Sequence, residues 1–374
     1  MKISVADSGV SVARVLNYGS MAKGAGDPKG KAERVVSAQD STPTTFTGKR
    51  PEKLEDFVGQ RRIVENLQVM LDAARQRNVP LEHILFSGPP GLGKTTLAHI
   101  LAREMDSQLV TTTGPLLERA GDLVAILTSL KEKQTLFIDE VHRLARPVEE
   151  TLYGAMEDFK VDIVIGKGPG AKTIPLKLNR FTLIAATTRS GLLTAPLRDR
   201  FGALFHLSFY EPLELLEILK RKVNEHGINA DESALLAIAQ RARGTPRVAL
   251  RLLKRVWDFQ VVSGAGKISE QVAVDALNQL GISEEGLDEM DRRILLTIIK
   301  NFQGGPVGIE SIAAVLNEER DTIEDVYEPF LMKAGFLEKT PRGRVATGKA
   351  YEYFKVQCEP PRVSFGGEER LFEE

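Results

Sequence analysis

The sequence predicts an α/β domain, followed by an all-helical domain and a small third domain of helices and a hairpin. Three observations lead to this fold class. A glycine-rich stretch follows a short apolar run at residues 84–86 and precedes a helical pattern. Strand-like apolar runs alternate with helical patterns up to Thr188, whereas from Tyr210 to about Leu280 the apolar spacing is helical only. A hairpin pattern at residues 336–346 follows the last predicted helices.

The bulk composition is typical of a globular protein with several domains. The chain has 374 residues, of which 42% are hydrophobic and 27% charged, and its net charge is −1. Any nucleic-acid site must therefore be a local basic patch. The single cysteine, Cys358, allows no intrachain disulfide, which fits a reducing cytoplasm. We find no apolar run of membrane-spanning length and no signal-peptide pattern.

Composition and periodicity also indicate the domain boundaries. We interpret residues 1–48 as a mostly disordered extension, because glycine, serine, threonine, alanine and charged residues dominate there without periodicity. Residues 49–209 are predicted to form the α/β domain, and residues 210–281 the helical domain. An acidic, glycine-containing linker leads to a winged helix predicted at residues 288–356, and a polar tail at residues 357–374 follows.

Residues 88–95 match the phosphate-binding pattern G-x-x-x-x-G-K-[ST] between a predicted strand and a predicted helix. Glycines let backbone N–H groups surround a phosphate, and the helix N-terminus adds partial positive charge. Lys94 can reach the β- and γ-phosphates of a nucleoside triphosphate, and the Thr95 hydroxyl can bind Mg²⁺. The alternative is a chance glycine turn, which the correct strand and helix on either side disfavour.

Two further predicted strands end in polar residues. The apolar run at residues 136–138 leads into Asp139 and Glu140, and the run at residues 181–187 leads into Thr188. Ligands of open α/β sheets bind at the carboxyl ends of the strands. We expect Asp139 to organise Mg²⁺, Glu140 to activate a water molecule as a base, and Thr188 to orient that water. A helix cap after a strand is the alternative interpretation of the two acids.

Several basic residues have both a structural and a functional interpretation. Arg200 either belongs to a salt-bridged surface turn or reaches the γ-phosphate of a neighbouring subunit in an ATPase ring. Arg247, at a predicted helix start, either points back at the nucleotide or is solvated. On the C-terminal hairpin, Lys339, Arg342 and Arg344 either contact DNA phosphates or form a solvated basic turn.

A second hairpin is predicted at residues 161–178, with glycines between its strands. Ile174 and Leu176 share one face of the returning strand. This face either packs on the core or is an exposed apolar patch for a partner. The pattern alone favours the core.

In their order and spacing these motifs resemble the RuvB family, AAA+ ATPases that drive branch migration of Holliday junctions. The resemblance covers about four-fifths of the chain, which is far more specific than one phosphate loop. It rests on residues 88–96, 136–144, 155–159, 186–191, 196–202, 241–247 and 335–344. It implies an α/β P-loop NTPase domain of the AAA+ type, an all-α lid domain and a C-terminal winged-helix domain, assembled as a hexameric ring around duplex DNA.

The resemblance also implies a site for ATP and Mg²⁺. Asp139 and Glu140 keep the roles given above, Thr188 becomes the first sensor, Arg200 a trans-acting arginine finger, and Arg247 the second sensor. Thr95 and Asp139 are the implied metal ligands. The residues implied to bind the nucleotide are Lys49, Arg50, Gly91, Lys94, Thr95, Thr96, Glu157, Asp158, Phe159, Arg200, Tyr210 and Arg247.

The implied partners are Holliday junctions and duplex DNA bound without sequence preference, a RuvA-type junction-binding protein and a RuvC-type resolvase, in homologous recombination and DNA repair. The hairpin at residues 161–178 matches the segment that docks RuvA, which reverses the core prediction for Ile174 and Leu176. Lys339 and Arg344 match the DNA-contacting wing, although we expect arginine at the first position. Lysine keeps the charge there but lacks the bidentate fork.

Two other functions stay open from the sequence. One is a clamp-loader ATPase acting on a sliding ring, against which the arginine context at residues 197–202 and the winged helix both speak. The other is an ATP-gated DNA-binding regulator that reads sequence through the winged helix. A motor binds unrelated duplexes with a strong salt dependence, whereas a regulator prefers one site.

Overall fold

The structure, a computed structural model, describes residues 50–165 and 172–356. Residues 1–49, 166–171 and 357–374 lie outside the described residues, as do the predictions made for the N-terminal extension, Lys49 and the C-terminal tail. Within these two ranges, no helix is both long and apolar enough to cross a membrane.

A parallel β-sheet forms the centre of the α/β domain, as the alternating pattern predicted. The strands of the described chain are β1 (Ile84–Ser87), β2 (Leu109–Thr113), β3 (Thr135–Asp139), β4 (Lys160–Ile165), β5 (Lys172–Lys177), β6 (Thr182–Thr187), β7 (Ala203–His206), β8 (Leu337–Thr340) and β9 (Gly343–Ala346). The central sheet has five strands in the order β2-β3-β6-β1-β7, and all neighbours are parallel. Strand β7 was not predicted, because a four-residue edge strand with alternating exposure gives little hydrophobic signal.

Helices cover both faces of this sheet. They are α1 (Arg61–Arg77), α2 (Lys94–Glu104), α3 (Ala120–Ser129), α4 (Arg146–Glu157) and the short α5 (Ala195–Arg198). Side chains of β1 alternate between the two faces: Ile84 and Phe86 belong to one apolar cluster, and Leu85 to another. The first cluster continues into the helical domain, so the two domains share a core beneath the phosphate-binding loop.

The helical domain consists of α6 (Pro212–Glu225), α7 (Glu232–Gln240), α8 (Pro246–Ser263) and α9 (Glu270–Gln279), which confirms the all-helical prediction. Helix α8 begins at a capped turn, because Thr245 accepts a hydrogen bond from the Val248 N–H at 3.3 Å and proline occupies the first helical position. This cap places Arg247 in the first turn of α8.

The third domain is a winged helix with its own apolar core. Its helices are α10 (Glu289–Asn301), α11 (Ile309–Leu316), α12 (Arg320–Thr322), α13 (Glu328–Lys333) and α14 (Gly348–Phe354), and β8 and β9 pair antiparallel as the wing. The apolar spacing over residues 319–334 predicts one continuous helix, but a π-helical segment, Ile323–Tyr327, separates α12 from α13. Helix α14 was not predicted.

Candidate nucleotide site and basic wing

The phosphate-binding loop joins β1 to α2 at the carboxyl edge of the sheet, where the pattern predicted it. Gly91 and Gly93 have φ angles of 82° and 104°, a region that glycine adopts without strain. A Cβ atom on Gly91 would lie 2.9 Å from the Cβ atom of Arg247. Glycine at this position therefore shapes the loop and also lets α8 approach it closely.

Lys94 begins α2, and its buried ammonium donates to the carbonyl oxygens of Gly88 at 2.7 Å and Pro89 at 2.9 Å. Burial lowers the pKa of Lys94 to about 8, although Glu140 and Asp139 act in the opposite direction. A negative phosphate beside the ammonium would favour the charged form again. A buried cation inside a loop of backbone N–H groups at a helix N-terminus fits a chain of phosphates.

The polar residues predicted from separate motifs are joined by hydrogen bonds. Thr95 Oγ1 donates to Asp139 Oδ2 at 3.4 Å, and the Glu140 N–H donates to Asp139 Oδ1 at 2.9 Å. Thr188 Oγ1 donates to Glu140 Oε2 at 3.2 Å. The ends of β1, β3 and β6 thus bring Lys94, Thr95, Asp139, Glu140 and Thr188 together. A hydroxyl and a carboxylate beside a phosphate loop are the oxygen ligands that Mg²⁺ accepts in such sites.

His142 is a residue of this site to which the sequence analysis assigned no role. Its Nδ1 lies 3.2 Å from Glu140 Oε2 and 2.9 Å from Thr187 Oγ1. Burial lowers the pKa of His142, although Glu140 raises it. Glu140 itself has a φ of 49°, which turns the chain sharply after β3. The signal in the sequence is a histidine two residues after a candidate base, and only the fold shows that it contacts that base.

Arg200 lies at the amino edge of the sheet, opposite the phosphate-binding loop. It precedes β7, which runs parallel to β1, whereas the loop follows β1. Its guanidinium donates to the Pro196 carbonyl at 2.7 Å, pairs with Glu157 at 3.1 Å and lies 4.4 Å from the centre of the Tyr153 ring. The sheet therefore separates Arg200 from Lys94 of the same chain.

The structure brings Glu157, Asp158 and Phe159 together with Arg200 and away from the loop of the same chain. Glu157 ends α4 and is exposed, as is Asp158. Phe159 packs inward, with its ring centre 5.8 Å from that of Phe181. Nucleotide contact by these three residues stays a prediction, and their placement suits a nucleotide held by a neighbouring subunit.

Tyr210 and Arg247 both contact the phosphate-binding loop. The Tyr210 hydroxyl donates to the Leu92 carbonyl at 3.0 Å from beneath the loop, and burial raises its pKa. The Arg247 N–H donates to the Gly91 carbonyl at 3.4 Å, and its side chain is exposed at the rim. Tyr210 thus supports the loop, whereas Arg247 is free to extend over it from the helical domain.

Thr96 belongs to the first turn of α2, whereas Arg50 lies in the segment that precedes α1. Thr96 is half-buried in the first turn of the helix, two residues after Lys94. Arg50 lies beyond this turn, where it lines a cavity of about 730 Å³ with His99 and Arg103. The described residues do not bring Arg50 to the phosphate-binding loop, and its contact with the nucleotide stays a prediction.

The basic wing offers only part of its charge to solvent. Arg342 is exposed at the tip, and Lys339 is exposed although its Nζ lies 3.4 Å from Glu324. Arg344 is buried, with its Nε 2.5 Å from Glu328 Oε1 and its Nη2 3.0 Å from Glu324 Oε1. In this conformation Arg344 cannot contact a phosphate, so DNA contact by Arg344 stays a prediction that requires these ion pairs to open.

The hairpin of β4 and β5 stands apart from the central sheet. Ile174 and Leu176 are 49% and 37% exposed. The core prediction made from their spacing was wrong, because only the base of this face packs on the core: Val161, which pairs with Leu176, is buried, whereas Ile174 and Leu176 are exposed. The exposure agrees with the alternative of an apolar patch for a partner.

Comparison with known proteins agrees with this arrangement over all three domains. The family model described as Holliday junction DNA helicase RuvB P-loop domain matches residues 49–207. The model described as RuvB AAA lid domain matches residues 210–283, and that described as RuvB C-terminal winged helix domain matches residues 284–355.

Individual relatives are similar along most of their length. The chain is 53% identical over 339 residues to a protein named Holliday junction branch migration complex subunit RuvB from Koribacter versatilis, covering 90% of this chain and 94% of that protein. It is 55% identical over 326 residues to the protein of that name from Dehalococcoides mccartyi, covering 87% and 93%. A solved structure described as the Thermotoga maritima RuvB Holliday junction branch migration motor is 47% identical, with a TM-score of 0.77, and covers 83% of this chain and 99% of that chain.

Proposed function

Because the chain belongs to the RuvB family, we propose that it is an ATP-dependent motor that drives branch migration of Holliday junctions in homologous recombination and DNA repair. The observation that carries this proposal is the hydrogen-bonded series from Thr95 through Asp139 and Glu140 to Thr188, beside the buried ammonium of Lys94. It unites the groups that phosphoryl transfer to water requires.

Bound ATP with Mg²⁺ supplies a γ-phosphoryl group whose transfer to water releases free energy. We propose that Glu140 accepts a proton from the attacking water, while Thr188 and His142 hold its carboxylate in place. Thr95 and Asp139 would hold the metal, and Lys94 would neutralise negative charge on the phosphates. Backbone N–H groups of the phosphate-binding loop cost no reorganisation when the charge develops.

The opposite placement of Lys94 and Arg200 supports assembly into a closed ring. Head-to-tail contacts bring the amino edge of one subunit's sheet to the nucleotide of the next, so Arg200 would complete the site in trans. Arg247 would contact the nucleotide from the helical lid and couple hydrolysis to rotation of the lid. A homo-hexamer is the ring size that the family resemblance implies.

DNA and partner proteins would bind on surfaces away from the nucleotide site. The exposed Lys339 and Arg342 are suited to phosphate contacts without sequence readout, with Arg344 supporting the wing. The exposed Ile174 and Leu176 form an apolar surface suited to a RuvA-type junction-binding protein. A complex with a RuvC-type resolvase would be assembled through that junction-bound partner.

The test is ATP-dependent separation of a synthetic four-way DNA junction, with and without a RuvA-type partner, beside Arg200→Ala. We expect the wild-type chain to separate the junction, the partner to stimulate it, and the variant to be inactive. ATP hydrolysis that leaves the junction intact even with the partner would preserve the nucleotide site but refute the motor. Sequence-specific binding to one duplex would then favour a DNA-binding regulator.

A further inference from the structure

A charged contact joins the end of β6 to the winged helix. Arg189 directly follows Thr188, and its Nε donates to Asp325 Oδ1 at 2.5 Å. Its Nη2 lies 3.0 Å from Asp321 Oδ1, and its Nη1 lies 3.7 Å from Glu324 Oε2. The Arg189 side chain is 19% exposed, so solvent screens the contact only in part. We call Asp321, Glu324 and Asp325 the acidic turn.

The acidic turn is also attached beside the candidate base. Arg143 Nη2 lies 3.5 Å from Asp321 Oδ2. Arg143 ends the short turn Val141–Arg143, which directly follows Glu140. The winged helix therefore contacts the segments that follow two residues of the nucleotide site, Glu140 and Thr188.

The same acidic turn holds the basic wing. Glu324 Oε1 lies 3.0 Å from Arg344 Nη2 and 3.4 Å from Lys339 Nζ. Burial raises the pKa of Glu324, but Lys339, Arg320 and Arg344 outweigh burial, so the net pKa is lowered. The Glu324 carboxylate thus lies between Arg189 and the basic wing.

The backbone of the acidic turn departs from a regular helix. Glu324 and Asp325 lie in the π-helical segment Ile323–Tyr327, where the sequence pattern predicted a continuous helix. π-helical turns are rare and occur frequently at functional sites. Here the segment places two acids on cations that come from different parts of the fold.

A second contact attaches the winged helix to the helical lid, and it is buried more deeply. Arg243, which shortly precedes α8, has a side chain that is 8% exposed and pairs with Asp288 and Asp291. Its Nε donates to the Gly286 carbonyl at 3.2 Å. Opening a buried ion pair leaves an uncompensated charge, whereas a partly exposed pair opens at lower cost. When the lid rotates, the winged helix should follow the lid, and the contact of Arg189 should open.

We propose that Arg189 is a positioning residue that docks the winged helix at the nucleotide site and releases it when the lid rotates. Docking shares Glu324 between Arg189 and the wing, so release changes both the position and the charge environment of Lys339 and Arg344. The nucleotide site thereby sets the position of the wing in the same subunit. This inference rests on the proposed motor function.

Substitutions that remove the charge but keep a polar side chain test the contact: Arg189→Gln, Asp325→Asn and the double variant. Pulsed EPR between spin labels at Val69→Cys and Val315→Cys measures the distance between the α/β domain and the winged helix. Both positions are exposed, at 68% and 48%. The labelled chain also carries Cys358→Ser, which removes its one native cysteine.

Junction separation per ATP hydrolysed is the second readout. Arg146→Gln is the matched control, because Arg146 pairs with Glu150 on the exposed face of α4, outside both sites. Arg189→Lys keeps the positive charge and should retain most of the docking that Arg189→Gln loses. If Arg189 had only a structural role, the lysine variant would not rescue docking.

We expect each single variant to broaden the interlabel distance distribution and to lower junction separation per ATP by about 5-fold. If Arg189 and Asp325 act through one contact, the double variant stays within about 2-fold of a single variant, whereas independent effects multiply to about 25-fold. An unchanged distance distribution in Arg189→Gln, or multiplied effects, would overturn the proposal. The EPR readout needs no junction activity, so failure of the motor function would be recognised separately.

Discussion

Glu140 has the contacts of a positioned base. Its Oε2 accepts a hydrogen bond from Thr188 Oγ1 at 3.2 Å and lies 3.2 Å from His142 Nδ1. Two partners from two different elements restrict the side chain to one direction. Such pre-positioning is what general-base catalysis needs, because the proton must be taken from a water held in a defined place.

Glu140→Gln should therefore abolish turnover and leave ATP binding intact. The amide keeps the shape of the side chain but cannot accept the proton, and we expect a loss of about 10²–10⁴-fold in the turnover number. Phosphate release at saturating ATP measures turnover, and equilibrium binding of labelled ATP measures affinity. Glu150→Gln, an exposed residue of α4, is the control. Retained turnover in Glu140→Gln would remove Glu140 from the role of base.

His83 shows how the fold constrains a titratable group. Its Nδ1 accepts from the Leu183 N–H at 2.9 Å, so its Nε2–H donates to the Met156 carbonyl at 3.2 Å. Burial lowers the pKa of His83 below its ordinary value of 6.5. Both ring nitrogens are thus used by the neutral form.

Acidification should destabilise the chain through His83. Because its folded pKa lies below its unfolded pKa, the stabilising contribution is complete above about pH 6.5 and is lost as the pH falls toward the folded pKa. His83→Gln should lower the free energy of unfolding by about 1–3 kcal/mol at pH 7.5 and weaken the loss between pH 7.5 and 5.5. Urea unfolding at both pH values measures this, with the exposed His206→Gln as control. An unaltered pH dependence would contradict the assignment.

The wing is an element whose three basic residues have different environments. Arg344 joins the wing to the helices beneath it through Glu328, which is 3% exposed. Arg342 lies at the tip and is exposed, and no ion pair found in the described part of the chain engages it. Their sequence spacing alone does not distinguish these roles, because residues two apart share a face only within a strand, and Arg342 lies in the turn before β9 whereas Arg344 lies in β9.

Arg342→Ala and Arg344→Ala should therefore have different effects, the first on DNA binding and the second on stability. Arg342→Ala should weaken binding to unrelated duplexes, reduce the salt slope by about one and leave stability unchanged. Arg344→Ala should destabilise the winged helix by about 3 kcal/mol, because the buried Glu328 keeps only the longer contact with Lys339 Nζ at 4.0 Å. Fluorescence anisotropy at several salt concentrations and denaturant unfolding separate the two effects. Equal stability of both variants would contradict the structural role of Arg344.

At the scale of the whole molecule, the parallel sheet separates two halves of the proposed catalytic site. Lys94 follows β1 at the carboxyl edge, whereas Arg200 precedes β7 at the amino edge. In the proposed ring, one subunit would therefore contribute a phosphate-binding loop to one site and an arginine to another. A ring closes every such interface without leaving an unmatched end.

Mixing two inactive variants should consequently restore activity. We expect Arg200→Ala to lose about 10³–10⁵-fold in turnover as an arginine finger, and Lys94→Ala to lose nucleotide binding. In a ring assembled at random from equal amounts, roughly a quarter of interfaces combine an intact loop with an intact Arg200. ATP hydrolysis measured across mixing ratios should peak near equal amounts. A mixture with only the summed activities of its components would indicate that Arg200 acts in its own subunit.

Much of the nucleotide site could be predicted from short sequence motifs. Lys94, Thr95, Asp139, Glu140 and Thr188 each follow an apolar strand run, and parallel strands place their carboxyl ends at one edge. Local patterns are sufficient here, since the loop conformation depends on nearby glycines and the alternation of strands and helices predicts parallel strands, although not their order in the sheet. The helical lid and the wing hairpin were likewise visible as periodic patterns.

Other features depended on contacts between distant parts of the chain. The burial of Arg344, the exposure of Ile174, the π-helical segment Ile323–Tyr327 and the pairing of Arg189 with Asp325 have no signature in the surrounding residues. A basic residue is solvated or paired according to the carboxylates that packing brings to it, and an apolar strand is covered only if a second layer reaches it. Sequence periodicity predicts which face of an element a residue occupies. What packs against that face depends on the tertiary structure.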